Sequence, residues 1–219
     1  MASDSADEYN PLDYDNLTKH CVQELMLRGP YSLNFPEPFT GSGVYAIFYK
    51  GNLDLYRPIR SPKADWPIYV GKAVPKGARK GGKTTGPSRA LYTRLREHYE
   101  SIKAAKNLDP NDFLCRYLSV TPLWITMAER LLIEDFQPVW NICIEGFGLH
   151  DPGSGRYKGK RSWWDVLHPG RSWAGRLQET RSEDEAKKRV RDFLKDRKPG
   201  ARMPALREDP SRFMQDNDD

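Results

Sequence analysis

The sequence predicts an α+β fold in which short strands are accompanied by helices, and three patterns carry that expectation. Residues 44–49 alternate cleanly, with Val44, Ala46 and Phe48 on one side and Tyr45, Ile47 and Tyr49 on the other, the two-residue period of a strand. A shorter run through Ile68, Tyr69 and Val70 follows a polar, proline-containing segment that suits a long connection in an antiparallel pair. Residues 88–105 then place Leu91, Leu95, His98 and Ile102 at the spacing of one helix face.

The remaining elements follow in order. Residues 1–12 read as a disordered acidic tail. Leu17, Cys21, Leu25 and Met26 recur at helical spacing over residues 15–27, with Asp15 as N-cap and Gly29-Pro30 as terminator. Residues 74–90 hold five bases and no acid among several glycines, a basic loop. Residues 114–120 suit a third strand, and residues 123–136 a second buried helix that Gln137-Pro138 closes, because proline disfavours helical geometry in the residue before it. Residues 140–144 read as extended again. The composition then shifts to glycine, tryptophan and bases over residues 146–175, and a charged helix with Ala186, Val190 and Leu194 on one side covers residues 183–198. Residues 208–219 form a second acidic tail.

A chain of 219 residues that is 38% hydrophobic supports one core with extensions rather than two full domains. Its net charge of +5 conceals a stronger polarity: residues 1–16 carry −5 and residues 208–219 carry −4, which leaves +14 on the middle. A compact basic centre suits a polyanion, since neutralising phosphates releases condensed counterions. Cys21, Cys115 and Cys143 are odd in number and lack C-x-x-C spacing, which argues against a disulfide framework or a zinc site. No apolar run approaches the ~18 residues of a membrane span, and the polar, acidic N-terminus lacks a secretory pattern. The expectation is a soluble, intracellular protein.

Two tyrosines stand next to glycines on the two first strands, in Gly43-Val44-Tyr45 and in Tyr69-Val70-Gly71-Lys72. If the strands pair, the phenols can share a face, with the glycines leaving room for a substrate backbone. Arg94 and His98, four apart, project from the core side of their helix, where a cation and an imidazole need partners: a phosphate, or an internal carboxylate such as Glu129. Glu129 is the candidate metal ligand, because a hard cation such as Mg2+ binds carboxylate oxygen and keeps several waters; Glu134 and Asp135 rival it on spacing. Asn141 can position its loop or donate to a phosphate. Residues 77–84 also match the phosphate-loop pattern G-x-x-x-x-G-K-T, but Gly86-Pro87 interrupts the helix such a loop needs, and a basic loop contacting DNA explains the same residues better.

Taken in order, Gly43-Val44-Tyr45, Tyr69-Val70-Gly71, Arg94, His98, Glu129 and Asn141 resemble the motif set of the GIY-YIG nuclease family, over residues 43–144. The resemblance implies a three-stranded antiparallel sheet flanked by helices, and a catalytic group of Tyr45, Tyr69, Arg94, His98, Glu129 and Asn141 around one Mg2+ held by Glu129, with Mn2+ as a substitute. Tyr45 would orient or deprotonate the attacking water, and Arg94 would balance charge on the phosphate. Size and layout look most like the homodimeric type II restriction endonucleases of that family, which cut both strands of a palindrome in double-stranded DNA. A cognate DNA methyltransferase would then act on the same site. The corresponding partition is a helix and connection at 13–42, a catalytic core at 43–145 with the basic insertion, and a tryptophan-rich DNA-binding extension with its helix at 146–207. Lys72, Lys76, Arg79, Lys80, Lys83, Arg89, Lys160, Arg161 and Arg171 are the candidate DNA contacts. Trp163, Trp164 and Trp173 serve either DNA or packing. A structure-specific or repair-type nuclease and a catalytically silent DNA-binding protein are the alternatives.

Overall fold

A computed structural model describes residues 10–35, 37–75 and 87–195. Both acidic tails, apart from residues 10–12, and the basic residues Lys76, Arg79, Lys80 and Lys83, with the phosphate-loop pattern around them, lie outside the described residues. The elements are α1 (Tyr14–Met26), β1 (Tyr31–Ser32), β2 (Gly43–Tyr49), β3 (Pro67–Ala73), α2 (Ala90–Ala104), β4 (Phe113–Ser119), α3 (Ile125–Phe136), α4 (Val139–Ile142), α5 (Trp163–Leu167) and α6 (Glu183–Leu194).

The strands form one antiparallel sheet in the order β1-β4-β2-β3. It has four strands rather than three, because the two residues of β1 pair with β4 at the edge, and two residues are too few to show an alternating pattern. Every residue of β2 is buried, as a central strand covered on both faces must be. Val44, Ala46 and Phe48 pack against Val22 and Leu25 of α1 and Ile125, Ala128, Leu132 and Phe136 of α3. Tyr45, Ile47 and Tyr49 face Leu91, Leu95 and Ile102 of α2, together with Trp140, Phe147 and Trp164 from the C-terminal part.

The helices follow the apolar stripes, with local corrections. Asp13 rather than Asp15 takes the cap position of α1, and Asp15 lies in the first turn. α2 buries Leu91, Leu95, His98 and Ile102 as its spacing requires, and its N-terminal Leu91 amide donates to Gly41 O at 3.0 Å in the absence of a side-chain cap. α3 ends at Gln137 in a left-handed conformation (φ 45°) before Pro138. Residues 139–142 then coil into the short α4 instead of extending, since a run this short has no period to separate helix from strand.

The C-terminal part belongs to the same core. Trp163 and Trp164 are buried, which decides their role as packing; Ala186, Val190 and Leu194 of α6 join the cluster that contains Tyr45. A closed polar chain runs through this layer. Trp140 Nε1 donates to the Tyr56 hydroxyl at 2.9 Å, which donates to His168 Nε2 at 2.5 Å; His168 Nδ1–H donates to Asn107 Oδ1 at 2.9 Å.

Burial pushes the His168 pKa down to about 3. The unfolded chain therefore takes up this proton below pH ~6.5 while the folded chain does not, so stability is flat above that pH and falls as pH drops toward 3. The loss from this group reaches about 2 kcal/mol at pH 5. Urea unfolding between pH 7.5 and pH 5 measures it: His168→Gln should lose about 2 kcal/mol of the wild-type change in stability over that range, and an unchanged difference would refute the assignment.

Candidate active site

The register of β2 with β3 sets the first part of the site. Tyr45 lies opposite Gly71, and Ile47 opposite Tyr69, so both phenols stand on the α2 face. A Cβ on Gly71 would overlap the Tyr45 hydroxyl and touch the Tyr69 ring, so Gly71 is required by the tyrosines themselves. Gly43 likewise makes room for the carbonyl of Leu118 on β4. The space expected beside these glycines for a substrate backbone is filled by protein atoms.

α2 delivers two groups to the same face. The Tyr45 hydroxyl lies 2.6 Å from His98 Nε2 in a fully buried pair. Burial, and then the Arg94 charge, hold His98 well below its ordinary pKa, so the imidazole is neutral and shares a hydrogen bond with the phenol. Burial and the neighbouring Tyr69 push Tyr45 well above the usual phenol range, against the opposing pull of Arg94. Tyr69 is raised for the same first reason and again opposed by Arg94. The Arg94 guanidinium is itself anchored, by Gly148 O at 2.5 Å, by Glu97 Oε2 at 2.9 Å and by His150 Nε2 at 2.5 Å.

Glu129 comes from α3, across the sheet. Lys72, whose alternation places it on the α3 face of β3, meets its carboxylate at 2.7 Å. The internal partner of Glu129 is thus Lys72, and that of Arg94 is Glu97. Glu129 is close enough for its charge to act on both catalytic-face tyrosines. Among the described residues no cluster of three or more His, Cys, Asp or Glu gathers as a metal site. One partly exposed carboxylate fits a hard cation that draws its other ligands from water and phosphate oxygen, provided Lys72 yields its place. Glu134 is committed elsewhere, to Arg130 at 2.9 Å and to the Tyr14 hydroxyl.

Asn141 uses both ends of its amide on β3. Its Nδ2 donates to Val70 O and its Oδ1 accepts from Val70 N, each at 2.8 Å, closing the outer edge of the strand between Tyr69 and Gly71. Both ends of the amide are thereby taken up by the backbone of β3.

The candidate DNA contacts divide. Arg89 and Lys160 are exposed, and Lys72 sits on Glu129. Arg161 is spent on Ala174 O and Glu179. Arg171 is buried, with its guanidinium on Asp165 and on backbone carbonyls, so it has no face for DNA. Residues absent from the sequence motifs complete the site instead. Phe147 stacks on His98 at 4.4 Å, and Gly148 and His150 hold Arg94; the Gly146-Phe147-Gly148 run is the one sequence signal that marked this segment.

Comparison with known families matches residues 37–194 to the Eco29kI GIY-YIG domain. The chain belongs to this family of GIY-YIG restriction endonucleases. The match extends beyond the motif region through α6, in agreement with the shared core. No curated protein matches the chain. Among the described residues no helix is long and apolar enough to cross a membrane.

Two substitutions probe how this GIY-YIG nuclease builds its site. Gly71→Ala should cost about 1–3 kcal/mol by overpacking against Tyr45. Asn141→Ala should cost about 1–3 kcal/mol by leaving the buried Val70 amide and carbonyl unpaired. Urea denaturation reads both, and wild-type stability in either variant would contradict the geometry.

Proposed function

We propose that this protein is a type II restriction endonuclease that, as a homodimer, hydrolyses both strands of double-stranded DNA at a short palindromic site. The observation that carries the reading is the convergence of Tyr45, Tyr69, His98 and Arg94 on one face, with Glu129 within their electrostatic reach, in a GIY-YIG chain. Glu129 would hold Mg2+, or Mn2+ in its place, which supplies Lewis-acid stabilisation of the phosphate and leaving oxygen.

The chain's own groups account for the proton. A free Tyr45 phenolate is disfavoured by burial, but in the tautomer with Nε2 unprotonated the phenol donates to His98. As water attacks phosphorus, its proton passes to the Tyr45 oxygen while the phenolic proton moves to His98 Nε2, so the tyrosine carries no net charge. The new oxygen–phosphorus bond forms, the bond to the leaving oxygen breaks, and that oxygen is protonated from solvent. Arg94 balances the charge that develops on the phosphate. Tyr69, packed against Tyr45 and His98, keeps the phenol in place. Arg89, Lys160 and, once released by Glu129, Lys72 would contact backbone phosphates. Two-fold symmetry of a dimer would mirror that of the palindrome, and a cognate methyltransferase would protect host DNA at the same site.

Incubation of plasmid DNA with Mg2+ tests the reading. Wild type should give discrete fragments whose sequenced ends define one palindrome. Glu129→Ala should give none, Arg94→Ala should be slower by about 10²–10³ and Tyr45→Phe by about 10²–10⁴. Cleavage by Glu129→Ala at the wild-type rate would remove it as metal ligand. Nicks confined to branched DNA would favour a structure-specific enzyme, and intact plasmid with every protein would favour a silent DNA-binding protein.

A further inference from the structure

Residues 146–150 form a strap across the Arg94 side of the site. Phe147 lies flat on His98, and the Gly148 carbonyl accepts from Arg94 Nη2. The strap must be narrow at that point: a Cβ on Gly148 would meet the Tyr69 hydroxyl at 2.7 Å and Arg94 Nη2 at 3.1 Å. What holds it there is Arg171. One guanidinium donates to Gly146 O at 2.9 Å, to Phe147 O at 3.1 Å and to Leu149 O at 3.0 Å, and forks onto both oxygens of Asp165 at 2.7 Å. Asp165 is fully buried, receives the Ser162 hydroxyl at 2.7 Å, and sits in α5 on the floor of Trp163 and Trp164. The Arg171 plane is flanked by Trp164 and Trp173 at 4.6 Å each.

Apolar residues could replace the Asp165–Arg171 ion pair itself at little cost, because a buried ion pair regains little more than its desolvation cost, but they would leave the three strap carbonyls unpaired. What apolar residues cannot do is fix three carbonyls of one loop at once; a guanidinium fork with five donors can. The consequence is felt at Gly148, the carbonyl between those that Arg171 binds, which is the one left to orient Arg94.

We propose that Arg171, locked by Asp165, is a positioning residue that sets the placement of the Arg94 guanidinium through the 146–149 strap, so that the C-terminal region is part of the catalytic apparatus. The catalytic consequence rests on the nuclease reading above; the placement of Arg94 does not.

The test uses full-length wild type, Arg171→Lys, Arg94→Lys and the double variant. Lysine preserves the charge facing Asp165 but cannot reach Asp165 and three carbonyls together. In single-turnover cleavage with Mg2+, Arg171→Lys should be about 10- to 100-fold slower than wild type, with DNA affinity in EDTA unchanged. In the Arg94→Lys background the same substitution should cost less than about twofold, because its effect passes through Arg94. Equal loss in both backgrounds would show a merely structural role and overturn the proposal. Asp165→Leu with Arg171→Met removes the buried charges together: with its fold checked by circular dichroism, it should cleave as slowly as Arg171→Lys, and wild-type cleavage would overturn the proposal. A second readout needs no cleavage. The Arg94 Nε–H resonance, assigned by its loss in Arg94→Lys, should be dispersed in wild type and collapse to a solvent-averaged position in Arg171→Lys. If it stays dispersed, the clamp does not hold Arg94. If it collapses while wild type cuts no DNA, the placement stands and the nuclease reading alone fails.

Discussion

The antiparallel pairing that sets Tyr45 opposite Gly71 constrains the rest of this molecule. A phenol on a central, doubly covered strand has nowhere to lie except over a neighbour without a side chain, and Gly71 is that neighbour. Once the phenol lies there, its buried hydroxyl must find a partner, and α2 has to approach closely enough to offer His98. The apolar stripe of α2 and the Tyr45–His98 contact are therefore one requirement. Asn141 secures the same arrangement from outside, occupying the amide and carbonyl that β3 would otherwise expose at the sheet edge.

Burial also sets the chemistry. It raises Tyr45 and lowers His98, so both are neutral and one proton is shared between the phenol oxygen and the imidazole nitrogen. Arg94 is the charged member of this face, and it is held by a carboxylate, an imidazole and a backbone carbonyl before any substrate arrives. Glu129 and Lys72 neutralise one another at the opposite side of β3. The site is thus close to charge balance at rest.

Arginine is used here largely as a structural fork. Arg116, buried on β4, donates to Met26, Arg28, Lys63 and Ala64 carbonyls and ties α1 to the turn before β3. Arg171 does the same for the 146–149 strap, and Arg161 for the segment around Ala174. The basic excess of the sequence is therefore not all surface charge. A count of bases overstates what a polyanion would meet, because Arg171 and Arg161 are paired with Asp165 and Glu179 and the guanidiniums spent on buried carbonyls are not free to contact phosphates.

The strands and helices that bury one face were legible in the sequence, since alternation over residues 44–49 and the stripe Leu91, Leu95, His98, Ile102 are direct consequences of backbone periodicity. So was the membership of Tyr45, Tyr69, Arg94, His98 and Glu129 in one set of motifs. The sequence could not show that Asn141 is consumed by Val70, that Lys72 rather than Arg94 pairs with Glu129, or that Arg171 faces inward while Lys160 faces out. Nor could it reveal the short β1, the turn of α4, or the strap at Phe147 and Gly148. Periodicity reports which side of an element is apolar. Which polar group answers which is decided when residues distant in the chain are brought within hydrogen-bond reach, and that depends on the packing of layers the local pattern does not encode.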